Sequence, residues 1–292
     1  MRLLQSGLLR FSGSRLKVVF NSLSANPARA ALTGLAASAL TQSSTAVSVI
    51  TTGLTHSRLV NLNQAIAVIL GANVGTTLTV QLLVLHPGTL AVPLCITGIF
   101  LALARPSRPL GHILTGAGMI FGGLDLLNRE IGSLQELPWF TAGLAAAGEN
   151  SLLAVGIATA LTALLHSSSV TTGVVMALYA QKTISLETAV ALVLGNNIGT
   201  CFTAIIVSLT SSAAGRRVAL AHLLLNVTGA LFFLPLLNPF SHLVAAISGR
   251  PAQQVANAHI LYNIISSLAL FPFCNHFARL LQRLLPDRPT AS

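Results

Sequence analysis

The chain has 292 residues; 53% are hydrophobic, 8% are Asp, Glu, Lys or Arg, and the formal net charge is +10. Soluble domains average about 25% charged residues, so a soluble enzyme or binding module is excluded, and the few charges lie between apolar stretches long enough to cross a bilayer. Short alternating segments, the mark of a membrane β-barrel, are absent, and basic residues at segment ends speak for membrane topology rather than for nucleic acid as a partner.

In chain order, the opening MRLLQSGLLRFSGSRLKVVF has no continuous apolar core and no small-residue cleavage site. It does not make a convincing signal peptide and fits a basic amphipathic segment, residues 1–30, on the membrane surface. An apolar stretch over 33–55 follows, carrying the polar run ALTQSSTAVS. Apolar helices are expected at about 60–85, 89–104 and 110–127, a second polar-bearing stretch at 151–178, and further helices at 186–210, 217–237 and 255–278. Cys95, Cys201 and Cys274 all fall in apolar segments; an odd number without zinc spacing indicates neither a disulfide framework nor a metal site.

An internal repeat organises these elements. The 38-residue stretch from Gln42 and the one from His166 align without a gap at an offset of 124 residues. Ser43 meets Ser167, Ser44 meets Ser168, and the G-x-N-x-G-T-x-x-T patch Gly71, Asn73, Gly75, Thr76, Thr79 meets Gly195, Asn197, Gly199, Thr200, Thr203. The division that follows is a first repeat over 31–109, a second over 110–238, and a C-terminal membrane helix with a basic tail over 239–292. A shorter echo, A-x-A-H-x-x-x-N, places His222 with Asn226 and His259 with Asn263 on single helix faces, suited to hydrogen bonds between helices.

If the two polar stretches are re-entrant hairpins and the amino end is cytoplasmic, 13 basic residues lie inside and only Arg129, Lys182 and Arg250 outside. Three crossings then separate the hairpins, which inverts the second copy. The expected fold is an all-α integral membrane protein with about six transmembrane helices and two re-entrant helical hairpins, the inverted-repeat plan of secondary transporters. Asp125 and Glu149 fall near the outer ends of spans and read as interfacial.

The hairpin tips carry the chemistry. Gln42, Ser43, Ser44 and Thr45 in one, and Ser167, Ser168 and Ser169 in the other, offer hydroxyls and an amide beside the N–H end of a half-helix, a ready anion site. With no Lys or Arg near either tip, a co-bound cation is the economical counter-charge. The two glycine-containing patches are expected to unwind and free carbonyls; with Asn73, Asn197 and the threonines these form a neutral oxygen cage suited to Na⁺, since Ca²⁺ and Mg²⁺ sites recruit carboxylates. The competing reading is a glycine-mediated helix crossing. His166, opposite Gln42, is either a hydrogen-bonded substitute of similar reach or a pH-sensitive group. No H-E-x-x-H, G-x-S-x-G or P-loop occurs, so no enzyme is expected. An intramembrane serine hydrolase leaves the duplication unexplained.

ALTQSSTAVS with GANVGTTLT, and ALLHSSSVTTG with GNNIGTCFT, resemble the two inverted repeats of the type II sodium/phosphate cotransporter family, over roughly residues 20 to 285. The resemblance implies sodium-driven symport of inorganic phosphate by alternating access, in a plasma (inner) membrane with both termini cytoplasmic. Phosphate, sodium ions and the lipid bilayer are the implied partners, and no cofactor is expected beyond Na⁺ as coupling ion. Gln42, Ser43, Ser44, Thr45, Ser167, Ser168 and Ser169, with Asn73 and Asn197, would bind phosphate. Gln42, His166, Thr76, Thr79, Thr171, Thr200 and Thr203 would supply sodium ligands. Two departures stand out. His166 replaces an expected Gln, and the first repeat has no counterpart of the apolar helix at 110–127, as in a shortened start or a member with one helix fewer. The alternatives are a carrier of another small oxyanion, such as sulfate or arsenate, and a non-transporting membrane scaffold.

Overall fold

A computed structural model of the chain describes residues 26–84 and 88–286; most of the amphipathic segment expected over 1–30, and the end of the basic tail from 287, lie outside them. The described residues form helices and turns only. The first hairpin is α1 (Pro27–Thr41) and α2 (Ser44–His56), followed by the long α3 (Leu62–Val84). A turn of 3₁₀ helix leads to α4 (Ala91–Leu103), α5 (Arg108–Gln135) and α6 (Pro138–Glu149). The second hairpin is α7 (Ser151–Leu165) and α8 (Ser168–Ala180), followed by α9 (Leu186–Gly199) and α10 (Cys201–Ser208). The chain ends in α11 (Ala213–Phe233), α12 (Leu237–Ile247), α13 (Pro251–Leu270) and α14 (Cys274–Leu284).

Among the described residues, five stretches are long and apolar enough to cross a membrane: 62–84, 108–133, 186–208, 213–247 and 251–284. The span expected at 89–104 is the 13-residue α4, about 20 Å of helix and short of a full crossing. The last two stretches each bend at a 3₁₀ turn containing Pro235 or Pro272, where the proline removes one backbone donor. α6 was not foreseen; Pro138 at its first turn marks its start.

Hydrogen bonds fix the direction of each repeat. At one end, His56 closing α2 accepts from the N–H of Ser212 opening α11, and Arg217 near the start of α11 donates to the carbonyl of Leu285 beyond α14. At the other end, Gln81 near the close of α3 bonds Gln253 and Asn257 near the start of α13. There too, Tyr179 closing α8 bonds Gln254, and Asn238 of α12 bonds Glu187 at the start of α9. So α3 and α9 start at opposite ends, and the hairpins enter from opposite ends. The inversion read from the sequence is present in the fold.

Glycine sets how closely each hairpin lies on its own repeat's long helix. A Cβ on Gly71 would stand 1.8 Å from the carbonyl oxygen of Ala31, and one on Gly34 would stand 1.9 Å from that of Val68. In the second copy a Cβ on Gly195 would stand 2.2 Å from the carbonyl oxygen of Val155. This corrects the expected unwinding. α3 runs unbroken through GANVGTT, and Thr200 keeps right-handed helical angles (φ −63°, ψ −23°) with its N–H bonded to Asn196. The glycines admit a neighbouring backbone rather than break their own helix, the small-residue crossing typical of membrane helices.

Gly71→Ala should therefore destabilise the protein by about 1–3 kcal/mol, read as a lowered thermal midpoint in detergent. Gly156→Ala in α7, where a Cβ meets nothing within 4 Å, should leave the midpoint unchanged or slightly raised.

Candidate functional site

The two hairpin tips have the same backbone. Gln42 and His166 each take a left-handed conformation (φ 54°, ψ 34° and φ 52°, ψ 29°) that ends the first half-helix. Ser43 and Ser167 follow in extended conformation, and each side chain caps the next half-helix by accepting from the N–H of Ala46 or Val170. A left-handed non-glycine residue costs energy; the same choice at both tips breaks the helix with the polar side chains at the break. The hairpins also leave alike, through left-handed Arg58 (φ 58°) and Lys182 (φ 58°), again 124 residues apart.

Beyond the caps, Ser44, Ser168 and Ser169 are buried, while Ser43, Thr45 and Ser167 are half-buried and His166 is exposed. The N–H groups of Ser44 and Thr45, and of Ser168 and Ser169, precede the first intrahelical bonds of α2 and α8. Each tip thus presents hydroxyls and backbone donors at the positive end of a helix dipole. An apolar cavity of about 350 Å³ opens beside Ser169 and Val170, walled by Leu83 and by α5.

Each tip is tied to its own G-x-N-x-G-T patch. Ser38 bonds Thr76 at 2.5 Å. In the second copy the hydroxyl of Thr162, the counterpart of Ser38, donates to Oδ1 of Asn196 at 3.0 Å and lies 3.1 Å from the hydroxyl of Thr171, and Asn196 donates to Thr172 at 3.1 Å. Nδ1 of His166 lies 2.8 Å from the hydroxyl of Thr203. Thr79, the counterpart of Thr203, has a buried hydroxyl with no hydrogen-bond partner among the described residues. The hydroxyls of Thr76 and Thr200 donate to the carbonyls of Ala72 and Asn197, so helix carbonyls expected to be freed are occupied.

Asn73 and Asn197 lie in a buried network that joins the repeats. Nδ2 of Asn73 donates to Oδ1 of Asn226 at 3.3 Å, which leaves its Oδ1 to accept from Nε2 of His222 at 3.2 Å. His222 is then protonated on Nε2, and its Nδ1 accepts from Ser48 at 2.9 Å. Asn226 and Tyr262 continue the chain, the first donating to Cys201 and the second to the carbonyl of Asn226. Nε2 of His259 meets Oδ1 of Asn197 at 3.3 Å. Each histidine of the sequence echo therefore serves one repeat's asparagine.

The Na⁺/Pi-cotransporter family model matches residues 1–129 and 138–249. The chain belongs to the Na⁺/Pi-cotransporter family. Among similar proteins, uncharacterized protein YqeW of Bacillus subtilis (strain 168) is 32% identical over 254 residues, covering 86% of this chain and 83% of the relative. The putative inorganic phosphate export protein YjbB of Escherichia coli (strain K12) is 30% identical over 251 residues, 85% of this chain and 46% of the relative. Sodium-dependent phosphate transport protein 2A of Oryctolagus cuniculus is 38% identical over 87 residues, 28% of this chain and 14% of the relative. The chain thus spans most of the Bacillus protein but under half the length of the export protein. No solved structure matches it.

For this family member, sequence reading found both tips and both patches. It did not find Ser48, Cys201 or Tyr262 in the network, nor the left-handed tip residues. The repeat itself held a signal for the last: positions 42 and 166 open both aligned stretches. Asp125 forms an exposed ion pair with Arg129 at 2.8 Å, one turn further along α5, and Glu149 closes α6 in an exposed position.

His222→Ala should strip Ser48 and Asn73 of a partner at once. A cost of about 1–3 kcal/mol for each polar group left buried should lower the thermal midpoint far more than His56→Ala at the exposed end of α2.

Proposed function

We propose that the protein is a sodium-coupled symporter of inorganic phosphate, with phosphate held between the two serine-rich tips. The observation that carries this reading is the duplicated tip: Gln42-Ser43-Ser44 and His166-Ser167-Ser168 adopt one geometry in two inverted copies. A tetrahedral oxyanion loses its hydration shell on entering such a site, and hydroxyls plus half-helix N–H groups replace it from two sides. An inverted repeat suits alternating access, since rocking one repeat against the other would expose the tips to each side in turn.

The phosphate cargo is further supported by the names of the relatives, which include both a putative phosphate exporter and sodium-dependent phosphate transporters. Coupling ions would supply the counter-charge, because no Lys or Arg lies near either tip in the sequence. The buried, unpartnered hydroxyl of Thr79 and the oxygens of Gln42, Thr76, Thr171, Thr200 and Thr203 are the candidate ligands, with His166 beside Thr203. By the positive-inside rule the end gathering most described arginines would face the cytoplasm, in keeping with the proposed inner, plasma-type membrane. Symport is reversible, so the imposed gradients set whether phosphate enters or leaves.

Proteoliposomes holding the full chain should accumulate labelled phosphate under an inward Na⁺ gradient and lose that accumulation when choline replaces Na⁺; equal uptake in both would sink the coupling. Ser44→Ala and Ser168→Ala should each cut uptake at least about tenfold, the loss expected for one charge-assisted hydrogen bond of about 1.5–3 kcal/mol. Wild-type rates in both variants would move the phosphate site elsewhere. Competition by sulfate and arsenate reports the cargo.

A further inference from the structure

Arginine is unevenly distributed along the bundle axis. The end where α3 and α11 start carries Arg29, Arg58, Arg105, Arg108, Arg216, Arg217, Arg279 and Arg283. Every described Asp and Glu lies in the other half, on α5 and its exit, at the end of α6 and at the start of α9. At the arginine-rich end, a groove of about 580 Å³ opens between the start of α3 and α14. Asn61 and Asn63 line it from α3, and Asn275, His276, Arg279 and Gln282 from α14.

The offset that relates the repeats shows what is unusual here. The counterpart of Asn63 is Glu187, and the counterpart of Asn275, by the 37-residue echo, is Asn238. At the other end these counterparts bond one another. At this end the carboxylate has become an amide, and the buried Oδ1 of Asn63 has no hydrogen-bond partner among the described residues. Arg279 is exposed and makes no ion pair among them. A cationic groove has thus lost the acid that its symmetric position holds.

One exposed strip of α14 and of the turn before it is apolar, beside the exposed polar face that carries Asn275, His276, Arg279 and Gln282. Cys274, Ala278 and Leu281 pack on the bundle, while Phe273, Leu280 and Leu284 are about half exposed, at 55%, 46% and 55%. Helical spacing sets these three on one face next to the polar groove. A ligand filling both needs an anionic group for Arg279 and amide donors, and an apolar body for the leucines.

We propose that this groove binds the phosphodiester headgroup of an anionic phospholipid from the leaflet at the arginine-rich end. The guanidinium takes two phosphate oxygens, which its fork geometry matches. The carboxamide of Asn63, which lines the groove, donates through Nδ2 to another. The acyl chains lie along Phe273, Leu280 and Leu284. The recognised phosphate is the same chemistry as the free ion, but a free ion gains nothing from the apolar strip.

The test is thermal stability of the full purified chain in detergent micelles, with added phosphatidylglycerol, phosphatidylcholine or inorganic phosphate. Phosphatidylglycerol should raise the midpoint by about 3 °C or more, with little effect from phosphatidylcholine; any rise given by inorganic phosphate, which the hairpin tips would bind, should be the same in the wild type and in Arg279→Gln. Arg279→Gln should abolish the phosphatidylglycerol rise, Arg250→Gln at the opposite end should retain it, and Asn63→Asp, which restores an acid to the groove, should diminish it. Equal stabilisation by phosphatidylcholine, or a rise with inorganic phosphate that Arg279→Gln removes, overturns the lipid assignment. A full phosphatidylglycerol effect in Arg279→Gln overturns the site, and if that variant does not fold, an undiminished effect in Asn63→Asp does the same.

Discussion

The close approach of two backbones, α1 on α3 and α7 on α9, is the contact on which the rest of the molecule depends. In a bilayer no hydrophobic force drives helices together, because lipid tails are as apolar as leucine. Attraction has to come from packing at short range. Gly34, Gly71 and Gly75 provide it in the first repeat, Gly195 and Gly199 in the second, each where a methyl group would collide with a neighbouring helix. This contact sets how deep each half-helix sits. It therefore sets where the helix breaks, which hydroxyls lie at the break, and which patch they meet.

A helix broken inside an apolar bundle exposes backbone and side-chain polar groups to an environment that cannot solvate them. Both repeats answer with a left-handed residue and a serine cap, and then with a network of neutral groups. Ser48, His222, Asn73, Asn226, Cys201, Asn197 and His259 connect the two patches without a charged side chain. Neutral partners satisfy the buried groups without leaving a permanent ion pair or an unpaired charge in the bundle interior. The copies are not equal. Asn196 and Thr171 add hydrogen bonds in the second copy at positions where the first has Ala72 and Val47, and His166 reaches Thr203.

Charge is kept to the ends of the bundle, and there too the symmetry is broken. The inversion gives both ends matching helix starts, yet one end collects most of the described arginines and the other the described carboxylates. The Glu187–Asn238 bond and the acid-free groove at Asn63 and Asn275 are the two outcomes at a single repeated position. One repeat unit can serve two membrane faces because a few substitutions at its helix ends adapt it to each.

The sequence by itself determined the membrane class, the duplication, the inversion and the polar identity of the tips. These follow from hydropathy, from a gapless 124-residue offset and from the distribution of arginine, all properties carried along the chain. The role of the G-x-N-x-G-T glycines was decided only by tertiary structure. Glycine weakens a helix and equally allows close packing, and only the position of Ala31 against Gly71 selects the second. The same holds for Asn73 and Asn197. Mid-membrane asparagine demands a partner, but whether that partner is an ion, a phosphate or a histidine depends on which helix packs alongside. Here the tertiary structure put His222 and His259 there, on helices distant in sequence that the local pattern could not place.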